Sequence, residues 1–151
     1  MPRTIILRFV EDDVSVTADL LEERAPETCR IVWESLPLEG RTVHGMYSGP
    51  EVFIRADHLE PAPPENQMHR PLPGDVGYWR QEAGLYAASP GAACEVVFIY
   101  ARGAAIMGAD GQPTWVNLFA QIRPEGTEAF YATSRKVRLE GPRTLRIERG
   151  A

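Results

Sequence analysis

Apolar and polar residues alternate over much of this chain, and the alternation begins at once. Over residues 4–10, Ile5, Leu7 and Phe9 share one face, while Arg8 lies on the other between Ile6 and Val10. After the polar turn Glu11-Asp12-Asp13, Val14, Val16, Ala18 and Leu20 alternate with Ser15, Thr17 and Asp19. A period of two marks a half-buried strand, and the short turn makes the pair a hairpin. The period then changes. Pro26 suits a first helical position, and Glu27 suits the positive end of a helix. Cys29, Val32, Trp33 and Leu36 follow at helical spacing until Pro37. The pattern predicts a short amphipathic helix over residues 26–36, with Trp33 as its core anchor.

Strand character returns at residues 42–47 and 51–55, around Ser48-Gly49-Pro50. Residues 57–73 hold five prolines (61, 63, 64, 71 and 73), too many for a ladder strand, and read as a long loop of the kind that carries function. Residues 75–79 resume a strand, whereas 81–93 fit no single period. Residues 95–100 are β-branched and aromatic, a buried strand. A Gly-containing loop over 101–113 leads to a strand at 114–122. Residues 127–136 predict a second short helix. After Gly141-Pro142, Leu145 and Ile147 alternate with Arg146 and Glu148 in a last strand. Eight strands and two short helices result. Eight is the number that closes a sheet into a barrel that its own side chains fill.

Composition narrows this picture. The 151 residues include 13 glycines and 13 prolines, which argues against a bundle, a coiled coil or a solenoid. Hydrophobic residues at 44% and charged residues at 25% argue against disorder. The length suits one domain over residues 1–151, burying roughly 70% of the unfolded chain's surface. The net charge of −5 makes a nucleic-acid partner a poor expectation. Cys29 and Cys94 read as two reduced, buried thiols, since a disulfide framework or zinc knuckle would need more cysteines at closer spacing. There is no signal-peptide-like segment at Met1-Pro2-Arg3, and no apolar run approaches the ~18 residues of a membrane span. No membrane partner is expected, and a cytoplasmic location follows by default.

The motifs add a family. Arg24-Ala25-Pro26-Glu27-Thr28 after a hairpin resembles the helix start of the cyclophilins. The segment from Thr42 through His44 to Gly49 resembles the cyclophilin strand that carries Phe-His-Arg. Asn117-Leu118-Phe119-Ala120, after a strand and a loop, resembles the Gln-Phe-Phe segment. Pro64-Glu65-Asn66, Pro73-Gly74-Asp75, Tyr78-Trp79 and residues 95–100 look like a bacterial family of uncharacterised cyclophilin-like proteins. The resemblance implies a closed eight-stranded barrel with two short capping helices. It also implies a departure. Prolyl isomerisation in that family needs an arginine directly after the histidine, and here Gly45 stands there. Loss of transition-state stabilisation by that group can cost several kcal/mol, so little or no prolyl-isomerase activity is expected.

The leading expectation is a binding module or accessory protein for a small polar molecule or short peptide, held in an apolar, partly closed cleft on the barrel. Its expected lining is His44, Tyr47, Phe53, Arg102, Trp115, Asn117 and Phe119, with Glu65 and Asn66 in a proline-rich lid. For His44, a satisfied structural histidine and a pocket-lining group both remain open. The alternative is an enzyme with His44 as general base and Arg102 or Arg55 as an anion clamp; a weak prolyl isomerase is the third reading. His58 and His69, with Asp57 or Glu65, lack the spacing that preorganises metal ligands, so no metal is expected. Phosphate-loop, dinucleotide and nucleophile-elbow motifs are also missing, and no cofactor is expected. Exposed aromatic residues on a small barrel are compatible with a homo-oligomer.

Overall fold

A computed structural model describes residues 1–87 and 89–151. Ten strands and two helices follow one another: β1 (Thr4–Phe9), β2 (Val14–Leu20), α1 (Pro26–Ser35), β3 (Leu38–Arg41), β4 (Val43–His44), β5 (Glu51–Arg55), β6 (Gln67–Met68), β7 (Asp75–Gln81), β8 (Ala93–Ile99), β9 (Val116–Ile122), α2 (Thr127–Glu140) and β10 (Thr144–Arg149). The strands form one antiparallel sheet in the order β3-β10-β1-β2-β9-β7-β8-β5-β4, with β6 added to β9. The sheet curls almost into a barrel. Its two ends, β3 and β4, are consecutive in the chain and separated only by Thr42.

That junction is the seam. No hydrogen-bonded ladder joins β3 to β4 or β5 among the described residues. Instead, Gly40 lies flat against Ile54; a Cβ there would sit 3.3 Å from the Ile54 Cβ. Thr42 fixes the corner by exchanging side-chain and backbone hydrogen bonds with Arg143 at 2.8–3.0 Å.

The hairpin and both helices form where periodicity predicts them. Ile5, Leu7 and Phe9 of β1 and Val16, Ala18 and Leu20 of β2 are buried in the barrel. The helix α1 packs at the Leu20 end, where Cys29 donates to the Phe119 carbonyl at 3.3 Å. Trp33 packs on the core's edge, between the guanidinium groups of Arg3 and Arg149 at 4.6 and 4.8 Å. The helix α2 starts beside Ser15, at the other end of the hairpin. It places Phe130 against Phe9 and Phe98, with ring centroids 4.8 and 5.0 Å apart. Both cysteines are free and buried.

Several boundaries differ from the sequence pattern. Eight strands have four or more residues, but one of them is β3, directly after Pro37, where no strand is expected. The predicted strand over 42–47 shrinks to the two-residue β4, and residues 45–50 form a loop. The helix α2 runs to Glu140, and the proline-rich loop contains β6, paired with β9. Residues 82–87 and 89–92 are turns, bends and irregular backbone with one isolated bridge between Tyr86 and Ser89; residue 88 lies outside the described residues.

The strands β7, β8 and β9 are apolar on both faces. Cys94, Val96 and Phe98 of β8 point into the barrel, whereas Ala93, Val97 and Ile99 join Trp79, Val116 and Leu118 in a second cluster. Ala104 and Ile106, from the loop after β8, cover that outer cluster. A sheet faced on both sides leaves room for a pocket outside the barrel wall.

Candidate functional site

The outer face of β5 and β8 forms the floor of a pocket of about 300 Å3. Strand alternation puts Glu51, Phe53 and Arg55 on that face of β5, and Ala93, Glu95 and Val97 on that face of β8. The register sets Phe53 opposite Val97, Arg55 opposite Glu95, and Trp79 of β7 on the other side of Glu95. One wall is His44 with the loop over residues 45–48; the roof comes from Ile106, Met107 and Ala109. Met46 and Tyr47 are 84% and 61% exposed at the mouth.

Two carboxyl groups dominate the chemistry. Glu51 is only 7% exposed. Its burial pushes the carboxyl up to about 7, and the Ser48 hydroxyl offsets this only in part. Glu95 is pushed up to about 8, first by burial and then by the nearby Glu51; Arg55 pulls the other way. Arg55 is itself committed to Asp57 through two hydrogen bonds of 2.9 and 2.7 Å. The indole N–H of Trp79 is the one buried side-chain polar atom without a hydrogen-bond partner among the described residues. Such a donor costs roughly 1–3 kcal/mol when left unpaired.

Gly45 has a direct role in this geometry. A Cβ there would fall 2.6 Å from Oε1 of Glu51 and closer still to its Cγ. The missing side chain is the space the Glu51 carboxyl occupies. His44 is held by both ring nitrogens: Nδ1–H donates to the Gly45 carbonyl at 3.0 Å, and Nε2 accepts from the Tyr100 hydroxyl at 2.6 Å.

A family model described as a protein of unknown function (DUF3830) matches residues 7–148. The chain belongs to that family. No curated sequence matches it. Its fold is similar to that of McbB, solved in complex with tryptophan, with a TM-score of 0.69 at 19% identity. The likeness covers 97% of this chain and 45% of McbB, so the chain spans less than half of that protein. It is also similar to the solution structure of the hypothetical protein AF2241 from Archaeoglobus fulgidus. There the TM-score is 0.60 at 20% identity, covering 99% of this chain and 95% of that one. At such identities the likeness is one of fold.

In this DUF3830 chain the residues expected to share a cleft lie in different places. His44, Tyr47 and Phe53 line the outer pocket together. Arg102 is exposed and outside its lining. Trp115 is half exposed, with its ring centroid 5.9 Å from that of His69. Phe119 is fully buried in the barrel core. Asn117 is buried and holds the proline-rich loop: its amide donates to Pro63 and Thr28 and accepts from the Glu65 backbone N–H. That loop does not cover the pocket. Glu65 accepts from the backbone N–H groups of Glu27 and Thr28 at 3.1 and 2.9 Å, capping α1 from outside the helix. Asn66 donates to the Leu118 carbonyl and borders a second hollow near the N-terminus, walled by Met1, Glu22, Glu23 and Arg24. His69 donates to the Thr114 carbonyl, and Asp57 is tied to Arg55. Among the described residues, no group of three or more His, Cys, Asp or Glu could hold a metal ion.

Glu51 and Glu95 are absent from the expected lining. A signal for Glu95 exists: Val97 and Ile99 follow it on one face, while Val96 and Phe98 occupy the other. A strand apolar on both faces is covered on both sides, so a carboxylate within it is at least partly buried.

Proposed function

We propose that this DUF3830 protein binds a small organic molecule in the pocket outside its barrel wall. The observation that carries the reading is the enclosure, in one partly apolar pocket, of two carboxyls whose titration burial raises. Buried carboxyls without a counter-charge cost stability once ionised, and a bound ligand that pairs with them offsets that cost. The tryptophan complex of McbB, a neighbour in fold, adds support for small-molecule binding on this architecture. His44, Tyr47 and Phe53 belong to the proposed site; Glu51, Trp79 and Glu95 join them.

The same reading keeps the barrel cyclophilin-like and without prolyl-isomerase activity. Gly45 offers no guanidinium, Arg55 is paired with Asp57, and Arg102 lies outside the lining. A proline-peptide isomerisation assay should show the uncatalysed rate; turnover near that of a true cyclophilin would contradict this part of the proposal.

The test of binding is a thermal-shift screen of small metabolites, repeated on Ala109→Trp, which fills the pocket roof. Compounds that stabilise the wild type should lose their effect in the variant. A library with no binders, or binders indifferent to Ala109→Trp, would contradict the pocket assignment.

A further inference from the structure

The charge inside the pocket restricts what can enter it. Its ionisable lining comes from β4 (His44), the following loop (Tyr47), β5 (Glu51 and Arg55) and β8 (Glu95). The portions of β7, the roof loop and β9 that line it carry no ionisable side chain. The single arginine is already neutralised by Asp57, and both nitrogens of His44 are engaged. Glu51 therefore stands in a partly apolar pocket with no free cation in its lining. Once Glu51 is ionised, an anionic ligand would meet a carboxylate and no free positive charge, and a neutral one would leave that carboxylate without a counter-charge. Phe53, Tyr47 and Trp79 are among the lining residues, and aromatic rings attract cations through the ring quadrupole.

We propose that the pocket selects a small organic cation with an apolar body, its ammonium group held by Glu51. This deepens the proposed small-molecule site and rests on it. The acidic pair and the aromatic lining are separate observations. The first sets the sign of the ligand's charge, and the second suits its apolar body. Binding is linked to protons. Below about 7, the Glu51 carboxyl is protonated in the free protein. To pair with the ammonium it gives up that proton to the buffer, and a carboxylate–ammonium ion pair takes its place. Affinity then falls about tenfold for each pH unit below the titration. Glu95, beside it, keeps its proton longer and acts in the same direction.

Three probes with one body separate the outcomes: phenylalaninol (a cation with a hydroxyl), 3-phenylpropane-1,2-diol (neutral) and 3-phenyllactate (an anion). Calorimetric titration of the full chain should rank phenylalaninol first, by about tenfold or more. In buffers of different ionisation enthalpy, its binding should release a proton below pH 7. Glu51→Gln should remove the preference for the cation and the proton release. Equal or better binding of the diol or of phenyllactate to the wild type would overturn the cation assignment and leave the pocket standing. No binding of any of the three, together with a failed metabolite screen, would overturn both. Because the ranking is read on the wild-type protein, a Glu51→Gln chain that failed to fold would not decide it.

Discussion

Glu51 and Gly45 form a pair at the residue scale, because one occupies the space the other leaves. Gly45→Ala should displace the carboxyl and destabilise the protein by about 1–3 kcal/mol, the usual range for overpacking. In a Glu51→Ala background the same change should cost almost nothing. A double-mutant cycle read by urea denaturation checks this, and additive effects would refute it. The carboxyl also makes stability depend on pH. The folded-state titration of Glu51 is raised from 4.5 to about 7, so the folded protein holds more protons than the unfolded chain between those values. Stability should therefore fall as pH rises from about 4.5 to about 7, by roughly 3 kcal/mol for this group, and stay low above it. Glu51→Gln should flatten that decline, as read from denaturation midpoints across pH. Neither acid shows itself in the sequence by a motif. Glu51 reads as the polar position of an alternating strand, and only the loop folded over that face turns it into a buried group.

The helices and longer strands were legible at the element scale because their periodicity is clean, as in β1, β2 and α1. The exceptions have local causes. The strand β3 is short and follows Pro37; it reads Leu-Glu-Gly-Arg, with one buried apolar residue to set a period. The proline-rich loop reads as a lid from its composition, but side-chain hydrogen bonds anchor it elsewhere. Glu65 serves as a cap for α1, whose own N-cap residue, Ala25, has no side-chain oxygen to offer. Burial raises the Glu65 carboxyl, but its hydrogen bonds with Thr28 and Glu27 outweigh that and leave it lowered. Glu65→Ala should therefore cost about 1–2 kcal/mol at neutral pH. The difference from wild type should disappear as pH falls through the folded carboxyl's titration. Thermal melts at both pH values check this, and an equal loss at low pH would contradict the cap.

At the scale of the whole molecule, a nearly closed sheet with a covered outer face explains both where the core lies and where the pocket lies. Its seam predicts the pattern of amide exchange. Backbone amides of β3 and β4 should exchange faster than those of β1, β2, β7 and β9, which have ladders on both sides. The buried thiols report on integrity of the whole. Burial pushes Cys29 up to about 12 and Cys94 up to about 11, so neither should react with a thiol reagent until the protein unfolds. Sequence pattern reached the barrel because alternation and turns repeat along the chain. It reached only part of the site, because the pocket depends on which outer face the loops cover, and that is decided far away in sequence. The most direct measurement is a carbon-13 NMR titration of the Glu51 carboxyl, free and with phenylalaninol bound. A midpoint near 7 is expected in the free protein, with a clear drop when the cation is bound. An ordinary midpoint near 4.5 in the free protein, unchanged by phenylalaninol, would contradict it.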